Sequence, residues 1–233
     1  MREQPPVPPL FPATFLNEAG LNRQHVFDLA QLPPAVRQTL GDGEGYRQLI
    51  LIGHGGRRLW ECIKASGIGG EHPIDQYTLQ TVTRWLAAFL PGRPYRILYP
   101  GEQVIGLQQL GRLAGWHRPS PFMVGIDETW GSWFAYRAVV LVDSDFQPFP
   151  PLAGRDPCLS CQSRACTAAC PAGALAGEFS LAACVAYRLG TNAACQFTCL
   201  ARTACPVGSE HRYDDAQLHH SYALSLRMIR QFY

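Results

Sequence analysis

Lysine is almost missing from this chain. Nineteen of its twenty basic residues are arginines, and Lys64 is the single exception. Such a bias points to a GC-rich, bacterial coding sequence. Charge of either sign is also scarce: charged residues make up 16% of the chain and the balance is +2. That excess is too small for a nucleic-acid binder working by bulk electrostatics. No apolar run approaches the about 18 residues of a membrane-spanning helix. The opening stretch, MREQPPVPPLFPATFLNEAG, has no apolar core of signal-peptide length, so the cytoplasm is the expected compartment. Gly-x-Gly-x-x-Gly and P-loop patterns are absent, which removes the strongest sequence signatures of a nucleotide site. What is left is the composition of a folded protein, 47% hydrophobic over 233 residues.

The first dozen residues are rich in proline and read as an extended arm. Beyond them, Tyr46–His54 is a short apolar run ending at glycine, the pattern of a buried strand. A helix is expected over 57–66. A longer one follows at about 75–90, with Leu79, Val82, Leu86 and Phe89 on one stripe and Pro91-Gly92 as its stop. Tyr95–Tyr99 reads as a second strand, 102–115 as a third helix and Phe134–Asp143 as a further strand. Alternating strands and helices predict an α/β domain over residues 1–151. A proline-rich turn around 147–152 precedes a second domain at 152–233. Its cysteine-, glycine- and alanine-rich text has too few large apolar side chains for a core of its own and needs an internal staple. The acidic pair Asp214-Asp215 opens a C-terminal helix, and His211, His219 and His220 are expected on its surface.

That staple is written in cysteine. Of nine cysteines, eight lie between Cys158 and Cys205. Cys158-x2-Cys161-x4-Cys166-x3-Cys170-Pro171 is close to the bacterial ferredoxin run, with two extra residues in the middle gap. Cys184-x10-Cys195-x3-Cys199-x5-Cys205-Pro206 closes on the same dipeptide. A 4Fe–4S cube needs four thiolates at tetrahedral corners; in two-cluster proteins the cysteine before proline reaches across to the other cluster. Two clusters are the leading reading. By that interleaving, Cys158, Cys161, Cys166 and Cys205 hold one, and Cys170, Cys184, Cys195 and Cys199 the other. Structural zinc, disulfides and a single cluster with spare thiols stay open as alternatives. Cys62, beside Trp60 and Ile63, is expected to be a core thiol.

Three segments in this half, Cys170-Pro-Ala-Gly-Ala174, Cys184-Val-Ala-Tyr187 and Cys195…Cys205-Pro206, resemble the ferredoxin-type double 4Fe–4S module of epoxyqueuosine reductase and its relatives. Upstream, Leu113-Ala-Gly-Trp116 and Gly131-Ser-Trp-Phe-Ala-Tyr-Arg137 are similar to segments lining the cobalamin pocket of that reductase and of the cobalamin-processing chaperone. The resemblance implies an α+β protein: an N-terminal flavin-reductase (nitroreductase)-like α/β domain, then a small ferredoxin-like iron–sulfur domain and a C-terminal helix. It implies two 4Fe–4S clusters and cobalamin, with Gly115, Trp116, Gly131, Trp133 and Arg137 around the corrin ring. The family's catalytic aspartate falls near Gly101 here, where Glu102 is the nearest carboxylate, and Asp75 in His72–Tyr77 resembles a second acidic segment of that active site. Glu102 and Asp75 are thus the candidate proton donors. Electrons would come from a redox partner, a reductase, flavodoxin or ferredoxin. The family's helical-repeat extension does not follow, so tRNA is doubted as a partner. A ferredoxin-type carrier without a catalytic site and a cobalamin-trafficking protein are the competing functions. His54-Gly-Gly-Arg57 reads as either an anion-binding strand–helix turn or a plain tight turn.

Overall fold

The computed structural model describes residues 8–233; the proline-rich arm lies partly outside them. The chain divides into two compact units. One runs to Gly115 and resumes at Ala135–Leu152, and the other joins Trp116–Phe134 to Ala153–Tyr233.

The first unit is built on a four-stranded sheet of β1 (Arg23–Asp28), β2 (Gln48–Gly55), β3 (Tyr95–Tyr99) and β4 (Phe134–Val142), in the order β1-β2-β4-β3. β1 pairs antiparallel with β2 from Arg23↔Gly53 to Asp28↔Gln48, and β3 pairs antiparallel with β4 from Tyr95↔Val142. The Arg47 amide donates to the Val142 carbonyl at one end of β2, and Arg137 meets His54 at the other. β2 and β4 therefore also run in opposite directions. The alternation of strands and helices does not yield a parallel sheet here; the fold is mixed α and β around a small antiparallel sheet.

Every residue of β2 is buried, as its unbroken apolar run demands. Val26, Ile50, Ile52, Ala138, Val140 and Val142 form one face of the sheet. Against it pack α1 (Thr14–Glu18), α3 (Arg58–Ser66) and α4 (Pro73–Phe89). α2 (Pro34–Thr39) and α5 (Leu107–Leu113) complete the unit. α4 buries Ile74, Tyr77, Thr78, Thr81, Val82, Trp85 and Leu86, while Phe89 stays 42% exposed. Its buried stripe thus runs through two threonines and Trp85 rather than through Leu79 and Phe89.

His25 on β1 is buried against Phe27 and Phe149. Burial pulls its imidazole down to about 4. Between that value and the unfolded one of ~6.5, only the unfolded chain binds the proton, so stability falls as the pH drops through this window. The whole shift is worth about 3 kcal/mol at most. Urea unfolding at pH 7 and at pH 4.5 should show a smaller acid loss in His25→Phe than in the native chain. Equal losses would rule the histidine out as the cause.

The second unit holds α6 (Ala165–Ala168), α7 (Leu181–Leu189), α8 (Leu200–Ala204) and α9 (Asp215–Phe232). Asp214 caps α9 by accepting from the Gln217 amide at 2.7 Å. Residues 116–134 belong with this unit rather than with the sheet that precedes them. They fold on themselves through bridges Arg118↔Ile126 and Asp127↔Gly131, and Gly131, with φ +57, lies directly on the Val207 backbone. No helix among the described residues is long and apolar enough to cross a membrane.

Candidate functional site

All nine cysteines are free thiols. The turn carrying Cys158 and Cys161 is set by Asp156, whose carboxylate accepts from the Cys158 amide at 2.9 Å. Arg164, in the left-handed region at φ 41, starts α6 and seats Cys166 inside it. Cys170 follows α6, and the Cys170 carbonyl accepts from Gly173 in the next turn. Ser180 caps α7 and places Cys184 on that helix; Cys199 precedes α8 and Cys205 follows it. Both Cys-Pro pairs stand just past a short helix that proline cannot continue. α6 and α8 pack on each other, and Cys166, Leu175 and Ala201 make a small core with Phe122, Phe179, Cys170 and Cys199 around it. Thiols are part of what this unit buries.

Electrostatic coupling sorts the thiols. Burial pushes Cys158 up to about 11, helped by Asp156, Cys205, Cys166 and Cys161. Burial likewise raises Cys205, with Cys166 and Cys161 adding to it. Cys184 is raised by burial and by Cys199, Cys170 and Cys195, against the pull of Arg188. Cys199 is raised by burial and by Cys195, while backbone N–H groups at the start of α8 pull it down. Cys161 goes the other way: the Ser163 hydroxyl and the Arg164 amide hold its thiol below the ordinary value. Cys158 thus couples to Cys161, Cys166 and Cys205, and Cys184 to Cys170, Cys195 and Cys199. Among the described residues, no three His, Cys, Asp or Glu side chains are grouped to hold a single metal ion.

The residues expected around a corrin ring are divided. Gly115 belongs to the first unit, where a Cβ would sit 2.3 Å from the Leu152 carbonyl oxygen. Gly131 belongs to the second, where a Cβ would sit 2.0 Å from the Val207 carbonyl oxygen. Each glycine is thus required by the chain's own backbone. Trp116 and Trp133 are 1% and 0% exposed. Trp133 lies under the Arg202 guanidinium, 4.4 Å from its ring centre, and packs edge-on to Tyr213. Cys62 is half-buried at the edge of the core, its Sγ 3.5 Å from the Glu18 carbonyl.

Arg137 keeps different company. Its Nε donates to His54 Nδ1 at 3.0 Å, which leaves the proton of the neutral ring on Nε2. Tyr99, at the end of β3, is raised by burial, with Arg137 opposing and Asp75 adding to the rise. Asp75 stands in the first turn of α4. His54 and Arg137 are thus bonded, Tyr99 lies within electrostatic reach of Arg137 and Asp75, and no motif announces Tyr99. Glu102 is elsewhere, exposed in the loop before α5, because that helix starts at Leu107 rather than at 102. The His54–Arg57 turn is closed by Asn22, whose side chain bonds the Gly55 amide and carbonyl.

No family model and no curated protein sequence matches the chain. Solved structures do. Epoxyqueuosine reductase from Bacillus subtilis superimposes with a TM-score of 0.52 at 13% identity over 86% of this chain. A structure of epoxyqueuosine reductase with an epoxyqueuosine-modified tRNA-Tyr stem loop superimposes with a TM-score of 0.53, again at 13% identity, over 88%. This chain spans 66% of the length of each. The C. elegans B12-trafficking protein CblC matches at 12% identity, with a TM-score of 0.47 over 89% of this chain and 88% of that one. The likeness is one of fold, and it takes away the support for doubting tRNA, since one of these folds is seen with a tRNA stem loop.

Proposed function

We propose that this chain is an iron–sulfur redox protein whose second unit holds two 4Fe–4S clusters and supplies single electrons to a corrinoid at the first unit. The sorting of eight free thiols into two fours supports this reading above all. The donor set fits: four thiolates per site are what such a cluster takes, and it contributes one-electron exchange once bound. The chain's own part is to hold those sulfurs in place, with Cys166, Cys195 and Cys205 buried and the other five half-buried. N–H groups at the starts of α6 and α8 steady the thiolates of Cys161 and Cys199, and the thiols raised by burial give up their protons as metal enters.

For the corrinoid, Gly115, Trp116, Gly131 and Trp133 do not fit as a wall, because each is used inside the fold. Arg137 remains, bonded to His54, and Tyr99 feels the charges of both Arg137 and Asp75. Arg137 would meet a polar side arm of the ring, and Tyr99 or Asp75 would hold a proton; Glu102 in its open loop is the weaker donor candidate. The commitment of four expected lining residues to packing favours the second reading, a ferredoxin-type carrier fed by a reductase, flavodoxin or ferredoxin.

Protein purified without oxygen should carry about eight irons and as many labile sulfides per chain, with a broad thiolate-to-iron charge-transfer band. Stoichiometric zinc without iron would overturn the cluster assignment. Titration with hydroxocobalamin then separates the readings. A spectral change supports the corrinoid, clusters alone support the carrier, and tight cobalamin with redox-inert clusters supports a trafficking protein. An epoxyqueuosine-modified tRNA stem loop is the substrate to assay first.

A further inference from the structure

Two arginines of the second unit are almost wholly buried: Arg188 on α7, 7% exposed, and Arg202 on α8, 9% exposed. Arg188 Nε donates to the Cys195 carbonyl at 3.1 Å, and its two other nitrogens donate to the Ser225 hydroxyl at 2.9 Å and the Tyr222 carbonyl at 3.1 Å. Its guanidinium also lies over the Tyr222 ring. Arg202 donates to the hydroxyl and carbonyl of Ser132 and stacks on Trp133 and Tyr213. These partners are carbonyls, hydroxyls and rings. None is a carboxylate, and a buried cation without a countercharge is costly.

Besides the phenols of Tyr213 and Tyr222, thiols are the groups these cations act on: Arg202 on Cys199 and Arg188 on Cys184. Arg188 follows Cys184 by four residues on one helix, and so shares its face. Arg202 follows Cys199 by three, across the start of α8. Both cysteines belong to one quartet. The other quartet has a different setting: the Asp156 carboxylate bonds the Cys158 amide, Arg164 beside Cys161 is exposed to screening water, and Arg212 is half-buried. Reduction adds one negative charge to a cluster and neither makes nor breaks a bond, so cations fixed in a low dielectric favour the reduced form.

We infer that Arg188 and Arg202 are positioning residues that make the Cys170, Cys184, Cys195 and Cys199 site the more easily reduced of the two. This rests on the cluster reading above and gives that reading a direction: electrons entering at the other quartet run downhill to this one.

The test is a dithionite titration of the anaerobic holoprotein, followed by visible absorbance and electron paramagnetic resonance. Native protein should show two one-electron waves. Arg188→Gln and Arg202→Gln should each move the higher wave to more negative potential and leave the lower wave in place. Arg188→Lys, which keeps the charge and loses the fork of hydrogen bonds, should restore most of the shift. Unmoved waves in both glutamine variants at full iron content would overturn the inference, as would a single native wave or movement of the lower wave. If Arg188→Gln loses iron, Arg202→Gln and Arg188→Lys decide by the same criteria. Native protein without iron would overturn the cluster reading itself.

Discussion

Cys170→Ser should leave half of the iron and a less stable second unit, whereas Cys62→Ser should keep all of it. Cys170 sits at the end of the first cysteine run, yet it packs in the same small core as Cys199 and acts on Cys184. Its loss would disconnect the turn after α6 from α7 and from the Cys195–Cys199 loop. That unit has little else to fall back on: its core around α6 and α8 is Cys166, Leu175 and Ala201 with a few partly buried neighbours. Metal bound only by the folded chain adds its binding free energy to stability. A thermal midpoint lower by several degrees is therefore expected, with faster amide exchange across 181–205. Cys62 gives up a marginal contact with the Glu18 carbonyl at the core edge, and its serine variant should change stability by less than about 1 kcal/mol. Iron assays and anaerobic melting of the two variants decide the matter. Equal iron and equal midpoints would show that Cys170 is not a ligand.

Gly131→Ala is expected to cost about 3 kcal/mol or more, against about 1 kcal/mol for Gly173→Ala. Both glycines are left-handed, at φ +57 and +61, so the conformational strain of a Cβ is shared by the pair. Their surroundings differ. A Cβ on Gly131 would lie 2.0 Å from the Val207 carbonyl oxygen and 2.7 Å from its carbon, while one on Gly173 meets nothing within 4 Å. Backbone cannot rotate away as a side chain can, so Gly131→Ala must push the 116–134 segment off the chain after Cys205. Urea unfolding of the two variants measures the difference. A similar cost at both positions would mean that the chain around Val207 yields to a Cβ, and would reopen Gly131 to an outside ligand.

The parts of this molecule that could be read without coordinates are those where one physical signal dominates. β2 from Leu49 to Ile52 and β4 from Ala138 to Val142 are such apolar runs. β1 carries no such signal. Its Arg23, Gln24 and His25 look like loop text, and it becomes a strand by pairing with β2. α4 was legible as a helix but not by its stripe, because Thr78 and Thr81 are wholly buried and hydropathy counts them as surface. α6 and α8 have four and five residues, too few for a period to show. Arg188 and Arg202 look like ordinary helix-surface charges, and a spacing of three or four residues from a cysteine was their only clue. Tyr99 had none, since only the antiparallel sheet brings the end of β3 near Arg137 and Asp75.

The proposed interleaving also sets a calendar. On a chain made from its N-terminus, the four thiols grouped around Cys184 have all emerged once Cys199 is out. The group around Cys158 waits for Cys205, although its first three members are made earliest. The later-starting site is therefore complete first, and Cys158, Cys161 and Cys166 spend that interval exposed with no fourth partner. A scaffold that donates whole clusters has one finished destination at that moment, so filling should be sequential, with the Cys184 group loaded ahead of its neighbour.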